Sequence, residues 1–256
     1  MDELNLNKMK QAFQPLLDRL RYLESLSLND LDAEYRANQR VSEQLGKSGW
    51  VISGRLTPNN PVDWLNEIKS GGEETIARYF LETDINEMLA NIVHHYISLP
   101  ECIYLNQGID NYFSGRYTEA AMFLLAVLDY RICCITPEEV RKKAKQCNEI
   151  STVVRNRVFI KTEGRIFARI FLSIDYIPSF VAYAKRLFLD GGYSFENKIE
   201  PPYLNRNWLM HGRMTRTVKS YECVQIINAL NTLIEIEEEI ADTNQKEVTP
   251  NGQAEI

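Results

Sequence analysis

Histidine is scarce in this chain, with three copies in 256 residues, so imidazole chemistry has few places to occur. The five cysteines, Cys102, Cys133, Cys134, Cys147 and Cys223, are an odd number. They form no C-x-x-C pair and no Cys/His spacing of a zinc site, which argues against a structural zinc and a disulfide framework. They read as small buried residues of a reducing compartment. No apolar run approaches the roughly 20 residues of a membrane span. The longest, Ala120–Val127 and Ile166–Phe180, are short or interrupted by charge. The start, MDELNLNKMKQ, is polar and acidic and has no signal-peptide pattern. P-loop, dinucleotide fingerprint, GxSxG elbow and EF-hand loop are all missing, and no clustered carboxylates suggest a magnesium site. The expectation is a cytoplasmic protein away from the membrane, without metal or cofactor.

What is present is an ordinary globular composition. Apolar residues make up 45% and charged residues 25%, enough for a sizeable core in one large or two small domains. The net charge of −6 conceals an asymmetry. Residues 131–219 hold 17 basic and 8 acidic side chains, a net of +9, against −15 in the remainder. A basic segment of this kind fits a nucleic-acid face. It equally fits basic helix surfaces that meet the acidic part of the same chain.

Helical periodicity dominates. Leu16, Leu17, Leu20, Leu23 and Leu26 mark one face of a first helix, and a second runs on until Gly46 and Gly49. Trp50-Val51-Ile52 is a short apolar, extended segment. Trp50 and Trp64 flank a loop with two prolines and fit a core edge. Helical spacing resumes from Pro61 to about Leu99, interrupted at Gly71-Gly72. His94 and His95 lie about 100° apart on a helix, so one packs and the other is exposed. Pro100 is the expected domain boundary. Residues 117–129 are apolar on most sides and should form a central helix. Thr136-Pro137-Glu138-Glu139 is a helix start. Beyond it, Arg165 and Arg169 share a face that can track a phosphate backbone. The helix Gly164–Asp190 should break near Pro178. A last amphipathic helix spans Tyr221–Ala241, with Val224, Ile227, Leu230 and Ile236 on one side. This gives an all-α bundle: residues 1–99 as a helical N-terminal region, 100–241 as a helical domain, and 242–256 as a disordered tail.

The most informative stretch is Pro201-Pro202-Tyr203-Leu204-Asn205-Arg206-Asn207-Trp208-Leu209-Met210-His211-Gly212-Arg213. A helix can begin just after the prolines, with Asn205 as N-cap, and should continue through Arg213. Asn207 and His211 would then lie about 40° apart on one face, with Arg206 and Arg213 on a second. Gly212 inside a helix costs roughly 1 kcal/mol, which suggests a neighbour packed against that turn.

Arg206-Asn207-x-x-x-His211 resembles the R-polar-x3-H motif of HEPN-domain ribonucleases. Asn205 before it and Gly212 after it are common company for that motif in bacterial members. Gly115-x-Tyr117-x-x-Ala120 resembles the first helical hairpin of the same family. The C-terminal domain is therefore expected to be HEPN-like, over about residues 101–241. In HEPN domains a polar or acidic residue late in the second helix often faces the motif, which assigns Asp129 a supporting role. The resemblance, taken with the residue chemistry, implies a metal-independent endoribonuclease. His211 would be the general acid or base, suited by the near-neutral pKa of an ordinary imidazole. Arg206 would offset charge building on the phosphoryl oxygens. Asn207 would orient the imidazole or hold the phosphate, and Arg213 would add a phosphate contact. The 2′-hydroxyl of RNA is the nucleophile, so a 2′,3′-cyclic phosphate and a 5′-hydroxyl are the products. One motif histidine per chain implies a homodimer with two motifs at one cleft. The family implies a toxin or anti-phage effector, with an antitoxin or regulatory protein as a further partner. The competing readings are a non-catalytic HEPN-like module that binds RNA, a nucleotide or a protein, and a purely structural adaptor.

Overall fold

The computed structural model describes residues 28–53, 61–83, 85–136, 166–188 and 199–248. Among these the regular structure is entirely α-helical, in nine helices, so the fold class is all-α as expected. They are α1 (Leu28–Lys47), α2 (Pro61–Gly71), α3 (Glu74–Thr83), α4 (Ile85–Tyr96), α5 (Cys102–Phe113), α6 (Tyr117–Ile135), α7 (Ile166–Phe188), α8 (Arg206–Met210) and α9 (Ser220–Val248). The chain divides into two units, residues 1–40 and 41–256. Within the second unit α4 packs on both α5 and α9, so residues on either side of Pro100 share one core. No described helix is long and apolar enough to cross a membrane.

α6 is central for the reason its sequence suggests. Ala120, Ala121, Leu124, Leu125, Val127, Leu128 and Ile132 are all buried, on more than one side of the helix. Its most extensive partner is α5, and Gly108 permits that approach: a Cβ there would stand 2.9 Å from Leu124 Cδ2. A second core region is aromatic. Trp50 stacks on Phe80 at 5.4 Å between centroids, and Trp64 meets the same ring edge-on at 5.4 Å. Each large ring so buried contributes about 1.5–3 kcal/mol through area alone.

α9 departs from expectation in two ways. It runs past Ala241 to Val248, and residues 222–237 are buried on every side rather than along one apolar stripe. Several of its buried polar side chains are bonded by other parts of the chain. Asn228 Nδ2 donates to Val51 O at 2.8 Å, and Asn91 Nδ2 donates to Asn231 Oδ1 at 2.8 Å. Ser53 Oγ donates to Glu235 at 2.9 Å. Arg216 clamps Glu222 with two bonds of 2.8 and 2.7 Å. Burial pushes the Cys223 thiol up to about 12, with the Glu222 charge adding to it.

α7 also differs: it runs through Pro178 without a break. The extended segment at Trp50 to Ser53 is not part of a sheet. It is held by Ile52 N donating to Ser179 Oγ at 2.9 Å. Residues 1–27, which include the leucine face, and residues 137–165, which include the expected helix start and Arg165, lie outside the described residues.

Candidate functional site

The motif helix is short because of Gly212. α8 ends at Met210 with His211 as its C-cap, so it does not continue through Arg213. Gly212 adopts φ +65°, the left-handed conformation that glycine enters without penalty. Gly212 N then donates to Leu209 O at 3.1 Å and Arg213 N to Trp208 O at 2.9 Å. These two bonds are a Schellman closure. Nothing lies within 4 Å of a Cβ built on Gly212, so the glycine serves the backbone turn rather than a close neighbour. The same pair of bonds closes α5, where Gly115 N reaches Tyr112 O and Arg116 N reaches Asn111 O.

The start of α8 is hung from the end of α7. Asn205 is the N-cap, with φ −131° and ψ 128°. Its Oδ1 accepts from Asn207 N at 3.1 Å and Trp208 N at 3.3 Å. Its Nδ2 donates to Arg186 O at 3.1 Å. Asn207 Nδ2 donates to Phe188 O at 3.1 Å. Two carbonyls that α7 leaves unpaired at its C-terminus thus become the fixings for α8. Arg186 is itself immobilised. It is almost fully buried, pairs with Glu73 through bonds of 2.8 and 2.7 Å, donates to Lys47 O at 2.6 Å, and stacks on Tyr203 at 4.4 Å. Removing Glu73, which is itself 28% exposed, would leave the buried guanidinium without its carboxylate. The sequence signal for this anchor is a single arginine within the apolar run that ends α7, and its role is invisible without Glu73.

From this frame Arg206 points at α6. Its NH2 stands 3.1 Å from Asp129 Oδ2, and its NH1 donates to Asn207 Oδ1 at 3.3 Å. The two side chains are 34% and 33% exposed. A pair so exposed is worth roughly 0.2–1 kcal/mol, so Asp129 orients the guanidinium without locking it. Arg131, two residues further along α6, bonds to Glu101 and Glu237. Beside Arg206 is a cavity of about 280 Å³, lined among the described residues by Leu125, Ala126, Asp129, Tyr130, Cys133, Arg206 and Met210.

His211 is exposed at the end of α8, one turn beyond Asn207, whose carbonyl accepts its backbone N–H at 3.2 Å. Asn207 is buried, and its amide serves Phe188 and Arg206. The Arg213 guanidinium lies 4.0 Å from the Trp208 ring centroid, a cation–π contact. Arg169 falls in the part of α7 where only the backbone is described. The structure therefore brings Arg206, Asn207 and Asp129 into one bonded group and puts His211 at the far end of the same five-residue helix. Of the basic segment, Arg131, Arg186, Arg206 and Arg216 all meet acidic partners within the chain. Of the adjacent histidines, His94 is exposed, whereas His95 is half-buried with Nε2 3.2 Å from Glu237 Oε2.

Compared with known proteins, the chain matches no family model, no curated protein and no solved structure.

Proposed function

We propose that this protein is a metal-independent endoribonuclease that uses Arg206 and His211 in the manner of R-x4-H enzymes. The observation that carries the reading is the pairing of Arg206 with Asp129 at 3.1 Å beside an open cavity, with an exposed imidazole on the same short helix. RNA brings its own nucleophile. The protein then has to move protons and stabilise the charge on the phosphoryl group. An exposed His211 is accessible for proton exchange. Arg206, held by a weak pair, turns from Asp129 toward a phosphate that offers two acceptor oxygens. Arg213, Arg165 and Arg169 supply further contacts to the RNA backbone. A second copy of the chain supplies the second imidazole, so the working form is a homodimer. In this reading the protein acts in the cytoplasm as a toxin or anti-phage effector, held in check by an antitoxin or regulatory protein.

The test is cleavage of labelled RNA in EDTA by the wild-type protein, His211→Ala and Arg206→Ala, with the product ends identified. Wild-type cleavage to a 2′,3′-cyclic phosphate, reduced about 10²-fold or more in each variant, supports the reading. Undiminished cleavage by both variants removes it. A second reading, a non-catalytic HEPN-like module for RNA, a nucleotide or a protein, is favoured by one observation: Arg206 and Arg213 are both engaged inside the chain, with Asp129 and Trp208. Purified protein that retains RNA in a steeply salt-dependent way without cutting it selects that reading.

A further inference from the structure

The cavity beside Arg206 shares Ala126 and Tyr130 with a second one. This second cavity is also about 280 Å³ and is lined, among the described residues, by Pro100, Glu101, Tyr104, Ala126, Val127 and Tyr130. Two of these are tyrosines that are half exposed, at 52% and 53%. Another is a carboxylate that is only 7% exposed, Glu101. Glu101 Oε1 accepts from Arg131 NH1 at 3.1 Å, and Arg131 Nε donates to Glu237 Oε1 at 2.9 Å. Two nearly buried carboxylates therefore share one guanidinium, and with His95 counted as neutral the group carries one formal negative charge in excess. Burial works against the Arg131 charge, but the hydrogen bond and charge of Glu237 outweigh it and hold the guanidinium protonated. His95 bonds to Glu237, the carboxylate farther from the cavity lining.

An unbalanced charge at a nearly buried site favours an incoming charge of opposite sign. Aromatic rings beside it add a cation–π attraction and tolerate an alkyl chain. An anion meets the opposite situation at Glu101, which repels it, and the ring faces do not attract it. We propose that this cavity binds a small organic cation, a guanidinium or alkylammonium group that pairs with Glu101 and rests against Tyr104 and Tyr130. The cavity suits a single such group with its adjoining methylenes. The proposal is independent of the nuclease reading, because neither Arg206 nor His211 takes part.

The test uses isothermal titration of the full chain with agmatine, and with N-butylurea as a neutral planar counterpart. Agmatine is expected to bind at low salt and weaken as salt rises, while N-butylurea does not bind. Tyr104→Ala, a change at the surface, should weaken agmatine binding about two- to fivefold, and Glu101→Gln at least about tenfold. Glu101→Gln also removes a partner of Arg131, so its circular dichroism is compared with wild type; if it misfolds, Tyr104→Ala decides. Three results overturn the proposal: no agmatine binding, equal binding of N-butylurea, or undiminished agmatine binding in the folded variants.

Discussion

Asn205→Ala tests whether α8 is suspended from α7. The side chain is almost fully buried and makes three bonds: two accepted by Oδ1 from backbone N–H groups and one donated by Nδ2 to Arg186 O. Loss of an N-cap costs about 0.5–2 kcal/mol. Leaving a buried carbonyl without its donor costs about 1–3 kcal/mol more. The two terms are separate, so alanine should cost roughly 2–4 kcal/mol overall. Serine retains a cap but is too short to reach Arg186 O, so Asn205→Ser should cost about 1–3 kcal/mol, the second term alone. Urea denaturation of both variants gives the energies, and hydrogen exchange at Asn207 and Trp208 shows whether the loss is local. Alanine within about 0.5 kcal/mol of wild type would refute the reasoning, because α8 would then be held by something else.

Gly212→Ala should cost about 1–2 kcal/mol, the penalty of a left-handed residue with a side chain, with no steric addition because nothing crowds that position. Thermal denaturation checks it, and a much larger loss would mean that the turn is packed. Gly108→Ala should cost about 1–3 kcal/mol by the same measurement, since the new methyl meets Leu124 and one of the two helices must move. Stability should fall as pH rises from about 9 to about 12. The unfolded chain releases the Cys223 proton in that range while the folded thiol, pushed up to about 12 by burial, retains it. The check is urea denaturation of wild type and Cys223→Ala across that range, where an identical pH slope in both proteins would count against the assignment.

The helices were legible in the sequence because apolar spacing and glycine punctuation are local signals. α6 was recognisable as central because so few of its positions are polar. Asp129 and Arg206 belong to segments 77 residues apart, and only the family resemblance suggested that they meet. The polar residues of α9 misled for a physical reason. Asn228, Asn231 and Glu235 look like a solvated face until Val51, Asn91 and Ser53 arrive to bond them, and nothing within α9 encodes those partners. The shortness of α8 was readable in principle, since a glycine after a helical run is a termination signal. Taking Gly212 as a packing position instead extended the helix to Arg213 and put Asn207 and His211 on one face. The cluster of Glu101, Arg131 and Glu237 leaves no local trace, because each charge looks like an ordinary surface residue until the three meet.

The nuclease reading requires the guanidinium of Arg206 and the imidazole of His211 to act on the same phosphodiester. Single-turnover cleavage of a short RNA by Arg206→Ala, His211→Ala and the double variant measures this directly. Groups that work as a unit lose their effect together, so the double variant should be little slower than the slower single one. Losses that multiply in the double variant, or a single variant that cuts at the wild-type rate, would contradict it.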